Sequence, residues 1–327
     1  MGAVVGPVLS QLYSVNSPAV GRIATVTAAD GAGGRAVRFD YFVDISSDRW
    51  GDKELGLRFS SALASAREFY TDLNGFQMDK HVRRDADNHC TFFDKPNQNC
   101  IPDQAQFYPM TTAAHIADAA SGVRLSLLAA QPVAAASLAD GQMEVLLDRR
   151  PRRDDEKGLM EGINDNLHTQ LSFALIAEQG RPGAGRELPS LLARHAAEAL
   201  NRPAVALLSI GGGLKAAQLP TWGGAAPALW PCELTLESLQ THDATTKAWL
   251  LRTSYDPTLP IDAAALGCTP TSAPAQPLRL GLTALLPSCT VTTVTPLDLA
   301  GKATGPAAAE LSIEAAPSVA AVAFTCH

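Results

Sequence analysis

The feature that most constrains this 327-residue chain is a period-two alternation of apolar and polar side chains. Val37, Phe39, Tyr41, Val43 and Ile45 alternate with Arg38, Asp40 and Asp44, and only Phe42 breaks the polar side. Successive side chains on a strand point to opposite faces, so this run buries one face as β-structure and none as a helix. Leu55, Leu57 and Phe59 repeat the pattern. Further strands are predicted over 123–128, 143–147, 171–176, 234–236, 248–251, 291–294 and 319–324. Asp30-Gly31, Gly33-Gly34, Asn74-Gly75 and Asp140-Gly141 separate them as turn dipeptides, and Asp140-Gly141 between two strand-like runs predicts a hairpin.

One helix is predicted, over 188–200. Leu188, Leu191, Leu192, His195, Ala199 and Leu200 share a face, Pro189 suits a first turn, and Asn201 with Pro203 supplies a stop. Residues 61–68 fit a short helix or a strand equally well. Many short strands with one helix predict an all-β fold: an antiparallel β-sandwich over 1–180, a helical linker over 181–205 and a smaller β-sandwich over 206–327. Ala and Pro are abundant after residue 215, but the alternation persists through them.

Charge and motifs exclude several functions. The net charge of −7 and the absence of a basic track argue against nucleic acid as a partner. No apolar run is long enough to span a bilayer, and the N-terminal residues show no signal-peptide core. The histidines form no HExxH, and only His115/Asp118 and His242/Asp243 read as pairs at a ligand-like spacing. His115 sits in an apolar stretch and His195 on the helix; both read as packed side chains, so no metal site is expected. The six cysteines form no CxxC, and a local Cys90–Cys100 bridge is as plausible as free thiols. No nucleophile elbow occurs, and the glycine run 211–213 lacks the phosphate-loop pattern and reads as a connector. The densest polar constellation is Asp148, Arg149, Arg150, Arg152, Arg153, Asp154, Asp155, Glu156, Lys157 and Gly158, followed by Gly162, Asp165 and Asn166. It follows a predicted strand directly, where a scaffold presents polar groups. By composition alone it reads as a rigid, ion-paired loop. Tyr70 through Gly75 reads as a polar turn.

These segments also carry a family resemblance. Phe69-Tyr70-Thr71-Asp72-Leu73-Asn74-Gly75-Phe76-Gln77 resembles the FYTDLNG-x-Q segment of Golgi-type class II α-mannosidases, glycoside hydrolase family 38. Tyr108-Pro109-Met110-Thr111-Thr112-Ala113 resembles their YPMTT segment. Arg124-Leu125-Ser126-Leu127-Leu128, then Ser137-Leu138-Ala139-Asp140-Gly141-Gln142, Glu144-Val145 and the 148–159 cluster follow in the same order. The resemblance is colinear over about 5–178, and weaker matches continue through Ser190-Leu191-Leu192 and Pro231-Cys232-Glu233-Leu234.

The resemblance implies the C-terminal β-domains of an α-mannosidase acting on mannose-containing N-glycans in the Golgi lumen. It implies a retaining mechanism through two carboxylates and a zinc ion, all on an N-terminal catalytic domain of the same or a partner chain. No catalytic residue and no cofactor is then expected in this chain. Its expected part is a pocket loop: Asp148, Arg149, Arg150, Asp154, Asp155, Lys157 and Gly158. Three departures stand out. Lys157 replaces a usual Arg, 79–106 holds a polar insertion, and one of two usual late cysteines is missing, which leaves Cys268 to pair elsewhere, with Cys289 a candidate. Two further readings are a stand-alone carbohydrate-binding β-sandwich protein and a structural module that supports a partner.

Overall fold

A computed structural model describes residues 1–28, 31–73, 77–84, 103–154, 158, 161–181, 187–203, 231–242, 245–260, 262, 266–270, 276–281, 291–316 and 318–325. The chain divides into two compact units, Met1–Pro203 with Asp256–Pro260, and Ala204–Tyr255 with Ile261–His327.

The first unit holds strands β1 (Gly2–Val5), β2 (Leu9–Ser17), β3 (Val20–Thr27), β4 (Val37–Val43), β5 (Lys53–Ser60), β6 (Glu68–Asp72), β7 (Met78–Val82), β8 (Tyr108–Met110), β9 (Ala113–Ala117), β10 (Val123–Ala129), β11 (Val133–Ala136), β12 (Gln142–Arg150) and β13 (Thr169–Gln179). They form a nine-stranded sheet in the order β1-β2-β3-β4-β13-β10-β9-β6-β7 and a four-stranded sheet in the order β5-β12-β11-β8. Tyr41, Val43, Phe69, Ile116, Leu127 and Phe173 of the larger sheet meet Met110, Ala135, Met143 and Val145 of the smaller one in a single core. The unit is therefore an antiparallel β-sandwich.

The alternation reads through to the structure with one difference. β4 stops at Val43, and Ile45 is buried without being in the strand. Asp44 ends the ladder by turning on itself: its carboxylate accepts from the Ser46 amide at 3.0 Å and the Ser46 hydroxyl at 2.6 Å. The β11–β12 hairpin forms as expected, with Gly141 at φ 73°. A Cβ there would stand 2.4 Å from the Ser61 carbonyl oxygen. Asp140 of that turn accepts from the Arg67 amide, and Ala66 and Arg67 both sit at positive φ, so 61–67 is neither helix nor strand.

The helix α1 (Leu191–Asn201) begins three residues later than its spacing predicts. Ser190 caps it, accepting from the Ala193 amide at 2.8 Å, and Pro189 lies outside the first turn. Its small face, Ala193, Ala196 and Ala197, rests on Ala36, Leu128, Ala174 and Ile176. Leu128, Ala174 and Ile176 lie on the face of β10 and β13 turned away from the sandwich core. β10 and β13 are therefore covered on both sides, which is why 171–176 is apolar without strict alternation.

The segment read as a polar turn, 70–75, is different in kind. Tyr70, Thr71 and Asp72 are buried strand residues of β6, and Asn74 and Gly75 lie outside the described residues. Asp72 is 1% exposed. Its Oδ1 accepts from the Thr112 and Ala113 amides, both at 2.8 Å, and its Oδ2 from the Thr112 hydroxyl at 2.6 Å. Thr111 and Thr112 are where the chain leaves β8 in one sheet and enters β9 in the other. A strand residue thus pins the crossover between the two layers.

Charge is buried beside α1 as well. Arg124 and Glu178 are cross-strand partners on β10 and β13. Arg124 donates to Asp256 Oδ2 at 2.7 Å and to the Leu188 carbonyl at 2.9 Å. Burial pushes the Glu178 carboxyl above its usual range, against the opposing pull of the Ser190 hydroxyl and the Arg124 charge.

The second unit contains β14 (Leu234–His242), β15 (Thr245–Arg252), β16 (Leu278–Gly281), β17 (Val294–Leu297), β18 (Glu310–Ile313) and β19 (Ser318–Thr325). A four-stranded sheet, β14-β15-β19-β17, and a two-stranded one, β16-β18, enclose Leu234, Leu250, Val322, Phe324, Leu311 and Ile313. β17 starts only at Val294, where the 291–294 expectation ends. Cys268 pairs with Cys232, not Cys289, and Cys289 lies outside the described residues together with Cys90 and Cys100. A bridge between Pro231 and Thr269 and a bond from the Cys232 amide to the Thr269 carbonyl bring the two cysteines to a Cα separation of 5.0 Å.

Two outcomes test this account. Asp72→Ala leaves three donors at the crossover without their acceptor and should cost roughly 3–5 kcal/mol in denaturant unfolding. Asp72→Asn keeps one acceptor oxygen and should cost less. An Ala variant within about 1 kcal/mol of wild type would remove the crossover from the argument. For Glu178, a folded pKa above the unfolded one means stability present at low pH and lost as pH rises through the raised value. Glu178→Gln should therefore gain melting temperature relative to wild type between pH 4 and pH 8, and a pH-independent difference would contradict it.

Candidate functional site

The 148–158 cluster begins on β12 and owes its shape to a bulge. β12 pairs with β5 in register up to Leu146 opposite Gly56 and resumes with Asp148 opposite Leu55, so Leu147 is an extra residue. A bulge of this kind twists the strand and re-aims the side chains beyond it. Asp148, Arg149 and Arg150 are those side chains.

Their surroundings differ sharply. Arg150 is buried, and its guanidinium donates to Asn166 Oδ1 at 2.9 Å and to Asp48 Oδ1 at 3.1 Å. Asn166 Nδ2 donates in turn to Asp148 Oδ1 at 2.9 Å and to the Arg149 carbonyl at 3.0 Å. The Arg152 amide donates to Asp52 Oδ1 at 2.9 Å, and its guanidinium to the Asp48 carbonyl at 3.0 Å. Gly162 fits because a Cβ would stand 2.5 Å from the Arg152 carbonyl oxygen. The Ile163 amide donates to the Pro151 carbonyl at 2.8 Å and closes the loop.

Three segments thus converge: the turn around Asp48–Trp50, the end of β12, and 161–167. Asp48, Asp52 and Asn166 were absent from the predicted pocket set. Asn166 was visible as a motif residue, whereas Asp48 and Asp52 lie about 100 positions upstream, as the separations of 102 and 100 residues in their bonds to Arg150 and Arg152 show. Of the predicted residues, Asp148, Arg149 and Arg150 are brought together. Asp154 is half-buried, Gly158 is exposed, and Asp155 and Lys157 lie outside the described residues. Arg149, Arg152 and Arg153 are exposed and Arg150 is buried; Arg150 and Arg152 spend donors inside the cluster. The arrangement can therefore offer outward guanidinium donors on a rigid base, which suits hydroxyl-rich or anionic ligands.

Among the described residues, no three His, Cys, Asp or Glu side chains come together in a group able to hold a metal ion. The bond network makes a specific demand on Asn166. Asn166→Ala removes its links to Asp148, Arg149 and Arg150, and amide hydrogen exchange over 148–153 and 161–167 should accelerate at least about tenfold, equivalent to about 1.4 kcal/mol of local opening. Unchanged exchange would show that the loop is held by other contacts.

Residues 4–157 match the family described as Glycosyl hydrolases family 38 C-terminal domain. "Alpha-mannosidase 2" of Homo sapiens is 33% identical over 220 residues, which is 64% of this chain and 17% of that protein. "Alpha-mannosidase 2" of Arabidopsis thaliana is 33% identical over 208 residues, 61% of this chain and 16% of that protein. The chain thus spans about a sixth of the length of the curated relatives it matches. The crystal structure of an alpha-mannosidase from Enterococcus faecalis V583 is similar with a TM-score of 0.53, covering 94% of this chain and 29% of that one. At 11% identity that likeness bears on the fold alone. The stretch of this chain that is similar to the family 38 C-terminal domain runs from the first edge strand through both sheets of the sandwich into the loop cluster after β12.

Proposed function

We propose that this chain is the C-terminal β-rich portion of an α-mannosidase that hydrolyses α-mannosyl linkages in N-glycan processing. In this reading it supplies no catalytic residue. The loop cluster after β12 walls the substrate pocket of a zinc-dependent catalytic domain of the same or a partner chain. The observation that carries the reading is the family match over 4–157, which ends within that cluster, together with relatives that bear the name Alpha-mannosidase 2.

The chemistry of the cluster agrees with the role. A pocket wall must stay fixed while a sugar ring distorts, and mutually bonded Asp48, Arg150, Asn166 and Asp148 leave that base little freedom. Outward guanidinium groups can donate to mannose hydroxyls. Zinc belongs to the catalytic domain in this reading. The Cys232–Cys268 disulfide supports an oxidising lumen such as that of the Golgi. None of the described helices is long and apolar enough to cross a membrane.

The test uses two polypeptides: this chain, and human Alpha-mannosidase 2 with its own matching segment removed. Neither should hydrolyse an α-mannoside with zinc alone, and mixing or co-expression should restore activity. Arg149→Ala should then raise KM about 3–10-fold at nearly constant kcat, the worth of one hydrogen bond. Zinc-dependent hydrolysis by this chain alone would refute the division of labour. Mannoside binding by this chain alone, with no rescue of the partner, would instead favour a stand-alone carbohydrate-binding protein.

A further inference from the structure

The three strands at one edge of the nine-stranded sheet are unlike the rest of the molecule. Residues 2–21 contain no Asp, Glu, Lys or Arg, and Arg22 is the single charged side chain in 1–27, although 18% of the whole chain is charged. β1 is exposed along its whole length and is the outermost strand of its sheet.

The register places apolar side chains on both faces of this flap. Val5 lies opposite Ser10, Ser10 opposite Val26, and Val26 opposite Val37, so Val5 and Val26 continue the face that Phe39 and Tyr41 turn to the core. Val4, Tyr13 and Val15 lie on the other face by the same pairing. On the first face Val5 is 84% and Val26 50% exposed, and on the second Val15 is 78% and Val4 54% exposed. An edge strand left in water is ordinarily blunted by charge or covered. An apolar surface of this extent marks a contact.

The flap offers three surfaces at once, two faces and an open edge. A second copy pairing edge to edge through β1 would extend the sheet and leave both faces in water. Only a body that wraps the flap covers all three. The flap lies in the stretch that matches family 38, and about five-sixths of the length of the matched relatives lies outside what this chain spans. We propose that the β1–β3 flap is the docking surface for the catalytic portion of an α-mannosidase, a partner that meets it with an uncharged, apolar surface. This rests on the functional reading above and adds to it where the two parts join.

The experiment measures binding of this full chain to human Alpha-mannosidase 2 lacking its own matching segment, by biolayer interferometry, for wild type, Val5→Lys and Val15→Lys. Val5 and Val15 are exposed, so both lysine variants should melt as the wild type does. Each lysine would be buried unpaired on docking and should weaken binding about tenfold or more. Wild-type binding that both lysine variants retain would overturn the flap as the interface and leave the functional reading intact. A wild-type dimer in light scattering that either lysine variant dissociates would overturn the assignment in favour of a second copy. Failure of the wild type to bind or to rescue activity would sink both proposals together.

Discussion

The carboxylate of Asp72 is the constraint on which the first unit turns. Where the chain steps from β8 in one sheet to β9 in the other, the amides of Thr112 and Ala113 face a strand end, and both donate to Asp72 Oδ1. Leaving them bare in a buried corner would cost on the order of 1–3 kcal/mol each. A single buried acid answers both and the Thr112 hydroxyl. The consequence extends along the strands on either side. With β6 fixed to the crossover, Phe69 meets Tyr108 with ring centroids 5.7 Å apart, and His81 stacks on Tyr108 at 3.8 Å. Burial pulls His81 below the usual imidazole range and so favours the neutral ring, which shares a 2.8 Å hydrogen bond with the Thr71 hydroxyl. Two of the segments that carry the family resemblance thus meet in one structural joint, through Phe69–Asp72 and Tyr108–Ala113.

The loop cluster after β12 uses the same device at the surface. There too, polar groups satisfy one another across segments distant in sequence, and the cost of ordering the loop is spread over many bonds. What this leaves over is selective. Arg150 and Arg152 hold the loop, and Arg149 and Arg153 face outward. A run of four arginines in five positions therefore contains two kinds of residue, and only the structure sorts them.

The sequence carried much of this, and the omissions have physical causes. Alternation is a local signal, so β4, β5, β12 and β19 could be read directly. The apolar run at 171–176 could be read as a strand, but nothing local shows that α1 is what covers its outer face. The turn reading of 70–75 failed because Asp, Asn and Gly are turn residues by propensity, whereas Asp72 answers donors 40 residues away. The partner of Cys268 depends on a bridge between Pro231 and Thr269, which no spacing encodes. The charged cluster announced itself by density, yet its anchors Asp48 and Asp52 arrive on a different turn.

Buried arginines follow from the same accounting of backbone groups. In the first unit Arg124 joins Asp256 to the Leu188 carbonyl. In the second, Arg252, at 1% exposure, donates to Glu233 and to the carbonyls of Gln276 and Glu314. A buried ion pair by itself adds little net stability, because desolvation offsets the attraction. These guanidinium groups do something that an aliphatic residue cannot: each gives a donor to a carbonyl that no strand ladder satisfies. Lysine would supply the charge but not the planar fork that reaches an acid and a carbonyl together. The arginines are therefore best understood as fixing irregular segments to regular ones, with the paired acid as the condition that lets the charge be buried.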